Sequence, residues 1–339
     1  MNDHSQATRR REFLRTLGAG AMGLALAGKG YSAGTKPLRG VFPIGQTPVT
    51  ETDAIDLECL QNQVKFCNRY KVHGFAWPQI ASGWTTLSDK ERMDGAEAIL
   101  AAGKGGRTAI VIGVQDKDGN IDKAAGYAKH AAKNGADAII SLPPDKADDK
   151  AMMEYYKTIG QATELPLMVQ SQGTMSVDLI VEMAKQIPTM KCVKDEAGNP
   201  LARVTQIRER TSDTLAVFSG NGVRTMIDEM TLGFAGHCPY VVLSDFYADA
   251  FDLWHAGKRR EAFDMFGRLL AFSSITGAQN YLLVIRGVFK ENTRIRGGGA
   301  AAGGGAGGRG GRGAGGLDEA GKQTLRDAWD QFMKPYLRG

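Results

Sequence analysis

One lysine, Lys194, combines a residue type and a position that suit covalent chemistry. It follows the apolar run 190–193, which predicts a buried strand that ends at this lysine. A lysine amine adds to a carbonyl group only when it is unprotonated, and its ordinary pKa is about 10.4. Burial in an apolar interior lowers that pKa. The segment therefore predicts a Schiff-base lysine; a lysine that merely extends from a strand end towards solvent is the alternative.

Schiff-base chemistry also needs a group that moves protons, and four side chains are candidates. They follow or end predicted strands, at Asp116, Asp145, His237 and Tyr240. Among them His237 is favoured, because the pKa of an imidazole lies close to neutral pH. The alternative for His237 is a histidine whose hydrogen bonds hold it in the core or at the surface.

The chain after Thr35 alternates short apolar runs with helical patterns. Eight of these runs are predicted as strands, at 38–43, 74–79, 108–114, 136–142, 166–170, 190–194, 215–219 and 234–242. Eight strands that each precede a helix predict an α/β fold, a closed (β/α)8 TIM barrel with extra C-terminal helices. A doubly wound open sheet is the alternative. In a barrel the carboxyl ends of the strands share one mouth, where we expect Lys194 and the proton-transfer group.

Residues 1–33 have the features of a Tat-type signal peptide. Three arginines at 9–11 precede Phe13-Leu14, and an apolar run rich in glycine and alanine spans 17–28. This run is too short to cross a bilayer as an ordinary transmembrane helix. We therefore expect export to the periplasm or another extracytoplasmic space, with no membrane contact beyond the signal. A cytosolic protein with a basic start is the alternative.

Charge and cysteine content exclude several classes of protein. Of the formal net charge of +5, three charges come from residues 1–33, which hold five basic and two acidic residues. The remaining charge is too small to indicate binding of nucleic acid. The four cysteines are scattered without a Cys-x-x-Cys pair or a Cys/His cluster, so they predict buried thiols rather than a zinc site.

Composition also divides the chain after the signal. Residues 36–292 are expected to form the barrel with its C-terminal helices. The segment 297–316, with 13 glycines, five alanines and two arginines, predicts a flexible loop. An RNA-binding role for those arginines is the weaker interpretation, because no aromatic residue accompanies them. Residues 317–337 predict a helix that docks on the barrel through Leu325, Trp329 and Phe332.

Several short motifs share an order and spacing with one enzyme family. They are Gly40-Val41-Phe42-Pro43, Thr47-Pro48, Gly135-Ala136-Asp137-Ala138, Pro143-Pro144, Leu165-Pro166, Val193-Lys194-Asp195, Ala197-Gly198 and Ser219-Gly220. Together they resemble the dihydrodipicolinate synthase / N-acetylneuraminate lyase family over about residues 38–290. The resemblance implies a (β/α)8 barrel, a homotetramer or homodimer, and no metal or organic cofactor. It also implies a pyruvate-dependent class I aldolase or a related lyase or dehydratase.

The resemblance breaks down at three places. One follows Pro143-Pro144, where Asp145 and Lys146 stand in place of the family's tyrosines. The family's proton-shuttling tyrosine on strand five aligns with Gln170, and an amide cannot act as a general acid or base. Gln170 is still expected to hydrogen-bond an intermediate. The family's Thr-Thr-Gly loop, which holds the pyruvate carboxylate, aligns with Ile80-Ala81-Ser82-Gly83, where Ser82 is the only hydroxyl.

Other residues of the expected pocket follow from the same register. Ile80, Ala81 and Ser82 are expected to bind substrate, together with Ser219-Gly220 at the end of strand seven. Trp77 and Trp84 flank the altered loop and are candidates for an apolar or sugar-binding wall, with ordinary packing as the alternative.

These observations predict a Schiff-base lyase, synthase or dehydratase with Lys194, Gln170 and His237 as catalytic residues. The expected partner is a small carbonyl compound, a 2-oxo acid or a sugar-acid-like molecule. Because the tyrosine and both threonines are absent, a non-catalytic periplasmic barrel that binds small molecules is the alternative.

Overall fold

The computed structural model describes residues 36–220, 224–275, 279–296 and 317–337. The predicted signal peptide over 1–33 and the glycine-rich loop over 297–316 lie outside the described residues. Within the described ranges, no helix is long and apolar enough to cross a membrane. The four cysteines are buried and unbridged, as predicted.

Eight parallel strands form the centre of the molecule. They are β1 (Gly40–Val41), β2 (Gly74–Trp77), β3 (Ala109–Gly113), β4 (Ala138–Ser141), β5 (Leu167–Ser171), β6 (Met190–Asp195), β7 (Ala216–Ser219) and β8 (Gly236–His237). Each strand from β2 to β7 pairs with the strand that follows it, and β8 pairs with β1. Ile44, just beyond β1, forms parallel bridges to Ala76 on β2 and to Tyr240. These bridges bring the two ends of the sheet together, and the predicted closed barrel is confirmed.

A helix follows each strand and covers the outside of the sheet. The eight helices are α1 (Leu57–Arg69), α2 (Asp89–Gly103), α3 (Ile121–Lys133), α4 (Asp149–Gln161), α5 (Val177–Gln186), α6 (Pro200–Arg210), α7 (Met226–Leu232) and α8 (Ser244–His255). Their starts follow capping rules. The Ser88 hydroxyl accepts from the amide of Glu91, and the Glu91 carboxylate accepts from the amide of Ser88. A proline opens α6, where its missing N–H costs nothing.

Extra helices follow the barrel, as predicted. They are α9 (Arg259–Ile275), α10 (Gln279–Ile285) and α11 (Glu319–Ala328), and α11 continues as a π-helical turn over Trp329–Met333. Arg286 docks this part on the barrel through a bidentate pair with Asp245 on α8. Its guanidinium also lies 4.5 Å from the ring centres of both Phe66 and Trp329.

The two faces of the barrel strands belong to two separate apolar clusters. The cluster inside the barrel contains no helical residue and comprises Leu38, Phe42, Ile44, Ala76, Ala109, Val111, Ala138, Ile140, Met168, Cys192, Phe218 and Cys238. Their neighbours along the strands, such as Ile110, Ile139 and Val193, pack outwards against the helices. Because side chains alternate along a strand, membership of one cluster or the other shows whether a side chain points into the barrel or towards the helices.

The barrel mouth depends on one close backbone approach between β2 and β3. A Cβ added to Gly113 would lie 1.8 Å from the carbonyl oxygen of Pro78, so the two strand ends meet without room for a side chain. Backbone atoms on both sides cannot yield as a flexible side chain would. Glycine at this position therefore sets the spacing of the strands at the mouth.

We expect Gly113→Ala to lower the free energy of unfolding by about 3 kcal/mol, because the new methyl overpacks a fixed backbone contact. The matched control is Gly126→Ala on the exposed face of α3, where an added Cβ meets nothing within 4 Å. There alanine should stabilise the helix by up to about 1 kcal/mol. Urea unfolding of both variants measures the difference, and equal effects at the two positions would contradict the close approach.

Candidate active site

Lys194 lies inside the barrel near the carboxyl end of β6. Cys192, two residues earlier, belongs to the interior cluster, so the alternation of the strand turns Lys194 to the same side. Only 5% of the residue is exposed. The sequence predicted both the strand and the position of the lysine at its end. The structure therefore places a primary amine in the apolar interior, at the end where barrel active sites form.

Glu196 is the immediate partner of Lys194. The distance between Lys194 Nζ and Glu196 Oε1 is 3.0 Å, and the carboxylate side chain is 18% exposed. The amide of Glu196 donates to the carbonyl of Ser171, so the pairing with β5 continues just beyond the end of β6. Residues two apart in an extended chain share a face, which brings the carboxylate beside the amine.

Two glutamines, one on the adjacent strand β5 and one directly after it, complete the cluster. Gln170 lies opposite Lys194 in the register of β5 and β6. Its side-chain Nε2 donates to Glu196 Oε2, and the side-chain Nε2 of Gln172 donates to the same oxygen at 3.2 Å. Gln170 Oε1 is buried and, among the described atoms, has no hydrogen-bond partner. A buried acceptor without a donor is costly, so this oxygen is available to a ligand in the barrel mouth.

Gly220, beyond the end of β7, leaves the space that the ion pair occupies. A Cβ at this position would lie 1.9 Å from Glu196 Oε1 and 2.6 Å from Lys194 Cε. Any larger residue would displace the carboxylate or the lysine. The sequence predicted Gly220 as a substrate-binding residue, and the structure places it against Lys194 and Glu196.

The ion pair sets the charge of both groups. Burial alone lowers the pKa of Lys194, but the charge and hydrogen bond of Glu196, with Cys238 and Tyr240, outweigh it and raise the pKa above its usual value. Burial raises the pKa of Glu196, but the charge of Lys194 and the glutamine donors bring it below its usual value. The expected lowering of the Lys194 pKa is therefore wrong for the free protein, because its partner is an acid that the sequence analysis missed.

The loop after β2 is held by its own hydrogen bonds. The Ser82 hydroxyl donates to the carbonyl of Gly45 at 2.6 Å and accepts from the amide of Gln79 at 2.9 Å. Its donor is therefore used within the chain, and it does not replace a threonine of the family's carboxylate-binding loop. Ala81 packs against the interior cluster and Ile80 is half-buried.

Trp77 and Trp84 do not form a common wall. Trp77 is fully buried on the outer face of β2, and its indole N–H donates to the Thr47 hydroxyl at 3.0 Å. Trp84 is half-buried in a short 3-10 turn, with the Arg92 guanidinium 5.8 Å from its ring centre. Ordinary packing, the alternative interpretation, describes Trp77.

His237 points away from Lys194. Cys238, the next residue, belongs to the interior cluster. Because neighbouring side chains alternate between the two faces, His237 faces the helices. There its Nδ1 donates to Glu229 on α7 at 2.8 Å, and its ring meets Phe251 of α8 edge-on. Ser219 faces the same outer layer and donates to Glu229 at 2.6 Å. The structure thus separates His237 and Ser219 from the lysine, because both occupy outward positions of their strands.

The other proton-transfer candidates are distributed over different surroundings. Asp116 accepts the amides of Asp118 and Asn120, which fixes the loop after β3. The side chain of Asp145 is 90% exposed. Tyr240 lies near enough to Lys194 for the lysine's charge to oppose the rise in the tyrosine pKa that burial causes. Within the described ranges, no three His, Cys, Asp or Glu side chains are grouped as a metal site requires.

The side chains of the Lys194 cluster that the sequence analysis did not predict are Glu196 and Gln172. Both were signalled by the two-residue period of a strand, because each lies two positions beyond a predicted site residue, Lys194 or Gln170. Extending the predicted strands by two residues would have placed all four side chains at the same mouth.

We expect His237→Gln to destabilise the protein by about 1–3 kcal/mol, because the buried Glu229 carboxylate loses a donor of fixed geometry. Adduct formation at Lys194, trapped with borohydride, should keep its wild-type rate. Urea unfolding and the trapping rate measure the two effects. A trapping rate that collapses while stability is kept would return His237 to the proton-transfer candidates.

The lowered pKa of Glu196 predicts a pH dependence of stability. In the unfolded chain this carboxyl titrates at about 4.3, so the ion pair's contribution is complete above that pH and is lost as pH falls through the lower folded value. Glu196→Gln should therefore cost about 3 kcal/mol at pH 7, and this difference should shrink as pH falls below about 4. Urea unfolding at both pH values measures it; a constant difference would contradict the pairing.

Comparison with known proteins places this chain in a known family. The profile of the dihydrodipicolinate synthetase family matches residues 37–291. The 4-hydroxy-tetrahydrodipicolinate synthase of Methanosarcina mazei is 30% identical over 195 residues, which cover 55% of this chain and 65% of that protein. The synthase of the same name from Rhizobium meliloti is 27% identical over 206 residues, 59% of this chain and 67% of that protein. The matched part is thus just under two thirds of the first relative's length.

Solved structures share the fold at lower identity. The N-acetylneuraminate lyase of Mycoplasma synoviae superposes with a TM-score of 0.69 at 17% identity, over 87% of this chain and 98% of that one. The dihydrodipicolinate synthase of Oceanobacillus iheyensis gives 0.68 at 18% identity, over 87% and 95%. These likenesses show the barrel alone, while the profile match extends over most of the sequence. The chain therefore belongs to the dihydrodipicolinate synthetase family.

Proposed function

We propose that this protein is a Schiff-base lyase, synthase or dehydratase that acts on a 2-oxo acid or a sugar-acid-like substrate. One observation carries the proposal: Lys194 lies in the apolar interior of the barrel at the mouth, beside a carboxylate and an unpartnered amide oxygen. An imine at this lysine is an electron sink, because its positive nitrogen accepts the electrons of a bond broken at the neighbouring carbon.

The relatives support the range of reactions. One is named a 4-hydroxy-tetrahydrodipicolinate synthase and another an N-acetylneuraminate lyase. A synthase forms a bond to the carbon next to the imine and a lyase breaks one, so the same lysine serves both. The absence of a tyrosine at Gln170 and of a free hydroxyl at Ser82 favours a carbonyl substrate other than pyruvate.

Gln170 is suited to position the intermediate. Its amide nitrogen is directed to Glu196, which leaves Oε1 facing the interior as an acceptor. A carbinolamine carries a hydroxyl on the carbon that binds Lys194 Nζ, and this hydroxyl is a donor within the same mouth. Hydrogen bonding there would satisfy the buried oxygen only while substrate is bound.

A second candidate is a non-catalytic barrel that binds small molecules after export. The observation that favours it is the ion pair, which holds the pKa of Lys194 above its usual value and keeps the amine protonated. A charged lysine binds a carboxylate or hydroxyl without reacting. In that case Lys194→Ala would weaken a ligand-induced rise in melting temperature only partly, and the wild-type chain would form no covalent adduct.

Export through a Tat-type signal and assembly as a homotetramer or homodimer are also part of the proposal. The signal lies outside the described residues, and the basis is the arginine and apolar pattern of 1–33. Periplasmic fractionation of the full-length chain, compared with a variant whose Arg9, Arg10 and Arg11 are lysines, tests the export.

We expect borohydride to trap a 2-oxo acid on Lys194 of the wild-type chain, seen as one mass adduct on the peptide that contains this residue. Lys194→Ala should abolish the adduct completely, because no other amine replaces the buried one. The matched control is Lys191→Ala on the same strand, whose exposed side chain should be dispensable. The absence of an adduct across pyruvate and several larger 2-oxo acids would contradict the function.

A further inference from the structure

Glu196 is a buried acid whose position gives it more than a structural role. Its Oε1 is 3.0 Å from the atom that would form the imine, within the 2.6–3.2 Å or so at which a proton passes directly. We infer that Glu196 is the catalytic acid and base of this site, carrying protons between Lys194 and the bound carbonyl compound. The inference rests on the proposed Schiff-base function. It supplies the proton-transfer group that Gln170, which stands where the family has a tyrosine, cannot provide.

The carboxylate is held in one orientation. Both glutamine amides donate to Oε2, so Oε1 is left to face the amine. Gly220 leaves the space that the carboxylate occupies, because a Cβ at this position would clash with Oε1. A base with a fixed lone pair directed at the reacting atom loses little entropy in the transition state.

The protons balance over the formation of the imine. Glu196 takes one proton from the Lys194 ammonium, and the neutral amine adds to the carbonyl carbon while the C=O pair moves to oxygen. The protonated Glu196 supplies that oxygen with a proton, and the carboxylate takes a second proton from nitrogen. Glu196 returns this proton as the C–O bond breaks and water leaves, and the nitrogen pair forms C=N. Two protons have moved from nitrogen to water, and the carboxylate is restored.

The same carboxylate serves the next step. Once the iminium has formed, Glu196 removes a proton from the adjacent carbon, and the C–H pair forms C=C while the C=N pair moves to nitrogen. The product is a neutral enamine beside a neutral carboxylic acid. In a dehydration the acid then protonates a hydroxyl on the next carbon, which leaves as water as the enamine electrons shift to re-form an iminium conjugated to the new C=C bond.

Two other titratable groups are less suited to the role. His237 faces the outer layer, where it is bound to Glu229. Tyr240 affects Lys194 more weakly than Glu196 does, and burial raises the pKa of its phenol further above the ordinary value of about 10. Glu196 is in direct contact with the reacting nitrogen, and its lowered pKa leaves it ionised at neutral pH, so the form that accepts a proton is the one present.

The test measures imine formation directly, with salicylaldehyde as the carbonyl probe and the absorbance of its imine as the signal. The variants are Glu196→Gln, Lys194→Ala and the matched control Glu154→Gln, an exposed glutamate on α4. We expect Glu196→Gln to slow imine formation at pH 7 by about 100-fold or more, the usual loss when a general acid and base is removed. The control should keep the wild-type rate.

A purely structural role for Glu196 predicts the opposite change in the rate of imine formation. If Glu196 only held Lys194 charged, its removal would free the amine, and imine formation would be unchanged or faster, which would overturn the inference. A second variant, Glu196→Ala, leaves a gap beside Gly220 for a small acid. Added formate should restore its rate in proportion to concentration, and no recovery in a folded variant would also count against the role.

The failure of the proposed function would look different. A wild-type chain that forms no imine with salicylaldehyde or any 2-oxo acid would overturn the Schiff-base function, and with it this inference. A wild-type chain that forms the imine and a Glu196→Gln variant that forms it equally fast would overturn the inference alone.

Discussion

The two-residue alternation of strand side chains is the constraint on which the site depends. In a closed barrel, one set of side chains fills an interior without helices, and the other set packs against them. On β6 this sends Lys194 inwards and Asp195 outwards, where it pairs with Arg203 and accepts from Ser171. Continuation of the pleat for one more residue brings Glu196 back to the lysine. The acid next to Lys194 in sequence is structural, and the acid two positions away is its partner.

An ion pair in such an interior destabilises the fold unless the remaining hydrogen-bonding groups of both residues also find partners. Desolvation of two charges opposes folding, and their attraction repays it only with good geometry and further hydrogen bonds. Here two amides bind the carboxylate oxygen that the lysine leaves free. The pair also keeps its net charge of zero through the proposed reaction: ammonium faces carboxylate, amine faces carboxylic acid, and iminium faces carboxylate. Lys194 and Glu196 therefore add no net charge to the interior at any step.

The parts of this molecule that could be predicted from the sequence are those whose signals are local. Apolar runs, capping residues and glycine or proline punctuation locate the strands and helices, and they place Lys194 at a strand end. The side to which a residue points is less secure, because a shift of one residue exchanges the two faces. The strand predicted over 234–242 is only two residues long in the structure, and the outward position of His237 in it places the ring against Glu229 of α7 and not beside Lys194. The strand predicted from the sequence ended at Lys194, so the alternation that turns Glu196 inwards, two residues later, lay outside it.

The exchange of a tyrosine for Gln170 and the presence of Glu196 are best understood together. In the family that this chain resembles, one phenol is expected both to position and to protonate an intermediate; in the mechanism inferred for this chain, the Gln170 amide would position the intermediate and the Glu196 carboxylate would move the proton. The ordinary pKa of a carboxyl, about 4.3, lies far below that of a phenol, about 10, so the acid form protonates a leaving hydroxyl more readily. The carboxylate is the weaker base, but an iminium acidifies the neighbouring C–H bond and lowers the demand on the base. A site of this kind favours steps in which water leaves, and dehydration is the reaction of the proposed range that gains most from the exchange.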